Sequence, residues 1–242
     1  MPNHFFFYFI LLCSGVAMAD QVNEIKVATF NVSMESTNYL PQGETGNNQV
    51  LASILAKGDN PQVQNIAAII QRVRPDVLLL NEFDYIANAE QGIEAFIKNY
   101  LNQPQAGSEP ITYPYFYYST VNTGQPSPFD LDNSGVATGV GADAWGFGFY
   151  PGQYGMVILS KYPIDYDSVR TFQHFKWRDM PGFMPTYKED GSPWYSQKAW
   201  AEFPLSSKSH WDIPLTVNGE KVHVLASHPT PPVFDGEENR NG

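Results

Sequence analysis

The sequence is poor in cysteine, in basic residues and in long apolar runs. Its 242 residues include one cysteine, Cys13, so no disulfide can form within the chain. Lys and Arg number 14 against 25 Asp and Glu, and the net charge of −11 argues against binding nucleic-acid backbones through bulk electrostatics. No apolar stretch after the N-terminus approaches the ~18 residues of a membrane-spanning helix, which excludes a membrane-embedded body. A hydrophobic content of 43% excludes wholesale disorder and indicates a globular protein.

The first residues have the pattern of a secretory signal peptide. Residues 5–12 form an apolar run that is too short to cross a bilayer, and Ala-Met-Ala at residues 17–19 matches a cleavage site. The segment before this run has no Lys or Arg, which departs from the usual signal. We expect residues 1–19 to be a signal peptide, residues 20–242 to be the mature domain, and the protein to be secreted or periplasmic. The alternative is that the apolar run forms a buried N-terminal strand.

Apolar patterning in the first third of the chain predicts an α/β arrangement. A strand is expected at residues 25–31, and the polar residues 33–57 are expected to be mainly loop. A helix is predicted to start at Pro61, after a capping asparagine, and to end at Pro75. The continuous apolar run at residues 77–80 is typical of a buried strand. A strand, a helix and a second buried strand favour a layered α/β fold.

The rest of the chain combines a loop-rich middle with further strands. A second helix is expected within residues 88–101, and residues 104–155 are expected to be loop-rich because Gly and Pro are concentrated there. Strands are expected at residues 154–160, 198–205, 213–217 and 221–227. The last two are separated by Asn218 and Gly219, the strongest short signal for a β-hairpin.

Polar residues at the ends of predicted strands are the first candidates for chemistry. Asn31 ends the first strand, and Glu82 follows the apolar run of the second. In open α/β sheets ligands bind near the carboxyl ends of strands, and a carboxylate with an amide oxygen suits a hard cation such as Mg²⁺. His228 ends the last strand before a Pro-rich turn, where it could donate to an anion or act in acid–base chemistry. On spacing alone, a structural role at a strand end is favoured for each of the three.

Two other motifs have competing interpretations. Residues 130–135 are similar to the start of a calcium loop, but position twelve is Gly141 rather than a bidentate glutamate, which favours an ordinary acidic turn. Residues 206–211 bring Lys208 and His210 between two predicted strands, where they could contact phosphate or form a solvated loop.

Four sequence blocks occur in a characteristic order along the chain. They are residues 28–32 (ATFNV), 74–84 (RPDVLLLNEFD), 154–164 (YGMVILSKYPI) and 224–229 (VLASHP). Together they resemble the endonuclease/exonuclease/phosphatase superfamily, which includes deoxyribonuclease-I-like and sphingomyelinase-like enzymes. Residues 206–211 and the His-Pro-Thr-Pro-Pro run from His228 are similar to a secreted bacterial branch of this superfamily.

The resemblance implies a fold, a reaction and a set of site residues. The fold is the deoxyribonuclease-I-like α/β fold, in which two β-sheets pack face to face as a sandwich flanked by helices. The reaction is hydrolysis of a phosphodiester or phosphomonoester by metal-activated water, with Mg²⁺ as the implied cofactor and Mn²⁺ or Ca²⁺ as alternatives. Glu82 would bind the metal, Asn31 would help to place the metal or the substrate phosphate, and His228 would donate to a phosphoryl oxygen. Further candidates for substrate contacts are Tyr154, Lys208 and His210.

The sequence also departs from the family pattern. The family's Gly-Asp-x-Asn block and its terminal Asp-His pair do not occur, and we therefore expect this chain to carry the N-terminal portion of a longer enzyme. The alternative is a catalytically inactive secreted binding module that retains half of the fold. The substrate stays open among nucleic acid, phospholipid headgroup and small organic phosphate. We expect no stable membrane insertion and infer no protein partner.

Overall fold

Two β-sheets form the framework of the protein. The structure, a computed structural model, describes residues 24–230, so the expected signal peptide at residues 1–19 lies outside the described residues. The strands are β1 (Val27–Met34), β2 (Val77–Phe83), β3 (Tyr115–Tyr118), β4 (Met156–Ser160), β5 (Arg170–Thr171), β6 (His210–Val217) and β7 (Glu220–Ser227). A four-stranded sheet has the order β1-β2-β4-β3, and a three-stranded sheet has the order β5-β6-β7. The predicted two-sheet α/β fold flanked by helices is confirmed.

Four α-helices accompany the sheets in the described part of the chain. They are α1 (Asn48–Lys57), α2 (Pro61–Val73), α3 (Ile93–Phe96), which continues as a π-helical turn over Ile97–Leu101, and α4 (Gln197–Glu202). Shorter 3₁₀ turns occur at Ser36–Tyr39, Tyr166–Ser168 and Trp177–Asp179. Between residues 24 and 230, no helix is both long and apolar enough to cross a membrane.

The sequence prediction that residues 33–57 are mainly loop is wrong, because α1 occupies the second half of that segment. The side chain of Asn47 caps the helix by accepting a 2.9 Å hydrogen bond from the backbone N–H of Gln49. Leu51 and Leu55 are fully buried at helical spacing, and Gly58 ends the helix with a left-handed φ of 72°. The apolar stripe of α1 is short and lies in a polar segment, so the sequence pattern did not predict the helix.

The predicted strand at residues 198–205 is also wrong, because α4 covers most of it. The Ser196 side chain accepts a 3.2 Å hydrogen bond from the backbone N–H of Ala199, which is a helix cap. The segment Gln197–Glu202 has no β-branched residue and two alanines, so its local preference is helical. Ala199 packs in an aromatic cluster with Trp177 and Tyr195, which fixes the helix against the loops.

Other local predictions are confirmed. The Asn60 side chain caps α2 by accepting hydrogen bonds from the backbone N–H groups of Gln62 and Val63. Asn218 and Gly219 form the hairpin turn between β6 and β7 with φ values of 52° and 85°, as a two-residue turn with positive φ at both positions requires. Residues 104–155 are irregular apart from β3.

The four-stranded sheet buries both of its faces. On one face Leu78 and Leu80 pack against α1, α2 and α3 in the larger apolar cluster. On the other face Val77 joins a cluster with Trp211 and Ile213 of β6, so the second sheet covers this side. The two sheets therefore pack face to face, and the position of one sheet relative to the other depends on this second cluster.

Candidate functional site

The directions of the strands bring several strand ends together at one end of the sandwich. Strands β1 and β2 are parallel, and β4 runs antiparallel to β2, so the C-terminal ends of β1 and β2 lie beside the N-terminal end of β4. In the other sheet the start of β6 pairs with the end of β7. The polar residues that follow or precede these ends are therefore candidates for one shared site.

Glu82 and His228 meet although they belong to different sheets. Glu82 lies near the end of β2 with a left-handed φ of 59°, and His228 directly follows β7. Glu82 Oε1 and His228 Nε2 are 3.9 Å apart, and their side chains are 25% and 16% exposed. We call Asn31, Glu82 and His228 the strand-end site.

The His228 imidazole is electrically neutral near pH 7. Burial, together with the positive charge of Lys208, lowers the pKa of His228 to about 4. Its Nδ1 atom is buried and has no hydrogen-bond partner among residues 24–230. A neutral imidazole carries one N–H, so His228 can donate a hydrogen bond to an anion without first being protonated.

Asn31 lies on β1 and is paired with Asn81 of β2, the residue before Glu82. It is exposed and stands in register with Asn81 of β2, so the two side chains share one face of the sheet. The Asn31 Oδ1 accepts a hydrogen bond of 3.0 Å from the backbone N–H of Ser33 and keeps a second lone pair. Asn81, which the sequence analysis missed, has a buried Oδ1 with no partner among the described residues, while its Nδ2 donates to Thr29.

The oxygens of Glu82, Asn31 and Asn81 are of the chemical types that a divalent cation prefers. Glu82 offers carboxylate oxygens, and Asn31 and Asn81 offer amide oxygens on neighbouring strands. Mg²⁺, Mn²⁺ and Ca²⁺ all prefer such hard oxygen ligands. The buried amide oxygen of Asn81 has no partner among residues 24–230, and a cation is one group that would satisfy it.

Tyr154 and Lys208 also lie within the electrostatic reach of Glu82. Burial raises the pKa of the Tyr154 hydroxyl to about 12, with smaller contributions from the negative charges of Glu35, Glu82 and Asp84. Lys208 is 7% exposed, and burial lowers its pKa to about 8 while the charge of Glu82 opposes the shift. Of the two interpretations that the sequence left open for this segment, the burial of Lys208 disfavours the solvated loop.

The His210 side chain is exposed at the start of β6, beside the end of β7 that His228 follows. The residue stands in register with Ser227. Side chains alternate along a strand, so His210 points to the opposite face from Trp211, which is buried between the sheets. Partial burial alone lowers the pKa of His210, without a contribution from Glu82 or Lys208.

Asp84 lies two residues after Glu82 and connects the segments around the strand-end site by hydrogen bonds. These contacts were not predictable from the sequence. The Asp84 carboxylate accepts hydrogen bonds from the Ser36 backbone N–H at 2.9 Å, the Tyr154 backbone N–H at 3.1 Å and the Tyr150 hydroxyl at 2.6 Å. Burial raises the pKa of Asp84 to about 7, against the lowering effect of these donors. Asp84 thus joins the segments that follow β1 and β2 to the segment that precedes β4.

Glu35 forms a second buried carboxylate beside this network. It accepts a 2.9 Å hydrogen bond from Gln153 Nε2 and further bonds from the backbone and hydroxyl of Thr37. Gln153 immediately precedes Tyr154, so Glu35 and Asp84 both fix the same loop. The partners in this loop, Tyr150, Gln153 and Tyr154, lie far along the chain from Glu35 and Asp84, so no local sequence pattern predicted these contacts.

The acidic turn near residue 130 has a different character. Ligand oxygens of Asp130, Asp132 and Asp143 lie within 4.8 Å of one another and could hold a metal ion. However, Asp143 accepts a 2.7 Å bond from the Leu131 backbone and bonds from Thr138, and Asp130 accepts bonds from the backbone of residues 134 and 135. These N–H donors already compensate the carboxylates, as in an ordinary acidic turn.

The fold and the strand-end site define a protein of the deoxyribonuclease-I-like class. The model of the Endonuclease/Exonuclease/phosphatase family matches residues 28–238, which include all four sequence blocks. The chain therefore belongs to the endonuclease/exonuclease/phosphatase family.

Two solved structures are similar to the chain at low identity. One is an endonuclease/exonuclease/phosphatase family protein from Leptotrichia buccalis C-1013-b, with 14% identity, a TM-score of 0.41, and coverage of 89% of this chain and 58% of that one. The other is an endonuclease/exonuclease/phosphatase from Beutenbergia cavernae DSM 12333, with 15% identity, a TM-score of 0.39, and coverage of 86% and 39%. The chain thus spans 58% and 39% of the lengths of these two proteins. No curated protein matches it.

Proposed function

We propose that this protein is a secreted or periplasmic phosphoesterase that depends on a divalent metal, with Mg²⁺ as the first candidate. It would hydrolyse phosphodiesters or phosphomonoesters by attack of water on phosphorus. The single observation that carries the proposal is the 3.9 Å approach of His228 Nε2 to Glu82 Oε1 at the shared strand ends. Family membership supports the phosphoester class of reaction.

The roles follow from the chemistry of the side chains. Glu82 and Asn31 would hold the cation, with the Asn81 amide oxygen on the same sheet face as a further donor. When bound, the metal would polarise the phosphoryl group and offset the charge of −11 that otherwise repels an anionic substrate. His228 would donate its N–H to a non-bridging oxygen as negative charge develops there. One preorganised donor of this kind contributes roughly 3 kcal/mol to transition-state stabilisation.

The proposal is tested by replacing the carboxylate while keeping its shape. Glu82→Gln retains the size of the side chain but removes the charge that a divalent cation needs. We expect the longer enzyme that carries this chain to cleave bis(p-nitrophenyl) phosphate or p-nitrophenyl phosphate with Mg²⁺, and Glu82→Gln in that enzyme to lose at least about 100-fold of that activity. Glu189→Gln, at an exposed glutamate, is the matched control and should retain full activity.

Circular dichroism on each variant must show an intact fold. Metal-stimulated cleavage that survives unchanged in Glu82→Gln would contradict the metal assignment. If the folded wild-type protein cleaves neither ester with Mg²⁺, Mn²⁺ or Ca²⁺, the result would instead favour the non-catalytic binding module.

A further inference from the structure

Lys208 is a mostly buried lysine whose ammonium group has no bonded partner among the described residues. The residue is 7% exposed, and within residues 24–230 its ammonium group makes no hydrogen bond and no close ion pair. Other lysines of the chain bond to an oxygen through the ammonium group: Lys26 to the Val73 carbonyl, Lys161 to Asp76, Lys176 to Glu202 and Lys221 to Asp165. The side chain of Lys208 is mostly buried, but its ammonium nitrogen is not among the fully buried unpaired atoms of residues 24–230, so the charged end reaches solvent.

The backbone around Lys208 is fixed by several contacts. Its carbonyl accepts a 3.0 Å hydrogen bond from the Asn122 backbone N–H. The Asn122 side chain in turn donates to the carbonyls of Gln173 and Ser206, at 2.7 and 2.8 Å. Gly146 packs so closely on Ser207 that an added Cβ would lie 2.0 Å from the Ser207 carbonyl oxygen. The burial of Lys208 is therefore built into a tightly packed segment.

The charge of Lys208 acts on two residues of the strand-end site. It is attracted by Glu82 without forming a contact ion pair, and it disfavours protonation of His228. With a pKa of about 8, the amine is still mostly protonated at pH 7. Lys208 thus interacts electrostatically with both Glu82 and His228. The three residues offer a carboxylate suited to a metal, an imidazole N–H, and an ammonium group whose N–H donors make no hydrogen bond among residues 24–230.

We propose that Lys208 binds a non-bridging oxygen of the substrate's phosphoryl group, together with His228. This inference rests on the proposed function and adds a recognition element to it. A phosphoryl oxygen would supply the anionic acceptor that the Lys208 ammonium lacks among residues 24–230, and charge-assisted hydrogen bonds of this kind are the stronger class. The contact is to the phosphoryl group itself, so it would be made with monoesters, diesters and inorganic phosphate alike.

The alternative is that Lys208 has a purely structural role. The two possibilities predict different effects on stability. Because the ammonium group bonds to no oxygen among residues 24–230 and reaches solvent, replacing it with an apolar side chain of similar length should leave the melting temperature unchanged. A lysine that held the fold together would instead lower the melting temperature when replaced.

The experiment measures binding of inorganic phosphate by isothermal titration calorimetry, once with Mg²⁺ and once with a chelator, and no ester is present to be cleaved. Lys208→Met should weaken phosphate binding about tenfold or more and leave the melting temperature unchanged. Lys221→Met, at an exposed lysine paired with Asp165, is the control and should bind phosphate as wild type does.

The outcomes separate this inference from the proposed function. Phosphate binding that is equal in Lys208→Met and wild type, or absent from wild type under both conditions, would overturn the role of Lys208 even if the protein hydrolyses esters. Loss of binding in Lys208→Met alone would support it even if no ester is cleaved. A lowered melting temperature in Lys208→Met, with phosphate binding retained, would establish the structural role instead.

Discussion

The Tyr150 hydroxyl donates a 2.6 Å hydrogen bond to the Asp84 carboxylate, and Ser36 donates its own hydroxyl to the same tyrosine oxygen at 2.8 Å. This pair connects the loop before β4 to the segments that follow β1 and β2. Glu82 lies two residues before Asp84, so the pair fixes the chain that carries the proposed metal ligand.

Tyr150→Phe should therefore reduce both stability and activity. It leaves a buried carboxylate one donor short, and we expect a loss of about 1–3 kcal/mol in the free energy of unfolding, measured with urea. We also expect a lower kcat, because Glu82 loses part of its support. Tyr187→Phe, at an exposed tyrosine, is the control. A Tyr150→Phe variant as stable and active as wild type would show that the Asp84 network does not position the site.

His228→Ala tests the proposed donor to the phosphoryl oxygen. Since the donor matters most when charge develops in the transition state, kcat should fall about 100-fold while KM changes by less than about threefold. His174→Ala, at an exposed histidine, should behave as wild type. Steady-state kinetics with a chromogenic phosphoester give both constants. A rise in KM at constant kcat would assign His228 to ground-state binding only.

The lowered pKa of His228 predicts a dependence of stability on pH. The imidazole stays neutral in the folded chain down to about pH 4, whereas the unfolded chain binds a proton near pH 6.5. Its contribution to stability is thus present above pH 6.5 and is lost as the pH falls toward 4. Between pH 7 and 4.5 wild type should lose about 2–3 kcal/mol more than His228→Gln in urea unfolding under a chelator. Parallel losses in both proteins would mean that this histidine titrates normally.

The cap of α1 offers a test of the helix that the sequence analysis missed. Asn47→Ala removes the acceptor for the Gln49 N–H and should cost about 1 kcal/mol in the free energy of unfolding. Asn47→Ser keeps a capping oxygen and should cost little. The two variants are compared by thermal or urea unfolding. Equal stability of the alanine and serine variants would contradict the assignment of this residue as the helix cap.

Sequence patterns were sufficient where the signal is local. The cap and proline of α2, the apolar run of β2 and the Asn-Gly hairpin each carry their information within a few neighbouring residues. The segments that became α1 and α4 carry weak patterns, and tertiary packing decides their structure. Helix α1 forms because Leu51 and Leu55 pack into the apolar cluster on the first sheet. Helix α4 forms because Ala199 packs within an aromatic cluster.

The site was predictable to the extent that strand ends define it. Glu82 and His228 were identifiable from their places after apolar runs, and the structure brings them together. Lys208 and His210 lie in one short polar segment. Asn122 and Gly146 pack against residues 207 and 208, whereas His210 lies on the exposed face of β6, and neither feature can be read from the local sequence.

The division of the strand-end site between two sheets has a mechanical consequence. Glu82 is carried by the first sheet and His228 by the second, and the apolar layer between the sheets acts as the spacer that sets their separation. Replacing a side chain in that layer by a smaller one, for example Ile213→Ala, would let the two sheets shift relative to each other. The distance between the Glu82 carboxylate and the His228 imidazole would then change although neither residue was altered. The packing between the two sheets therefore determines the distance between Glu82 and His228 at the edge of the sandwich.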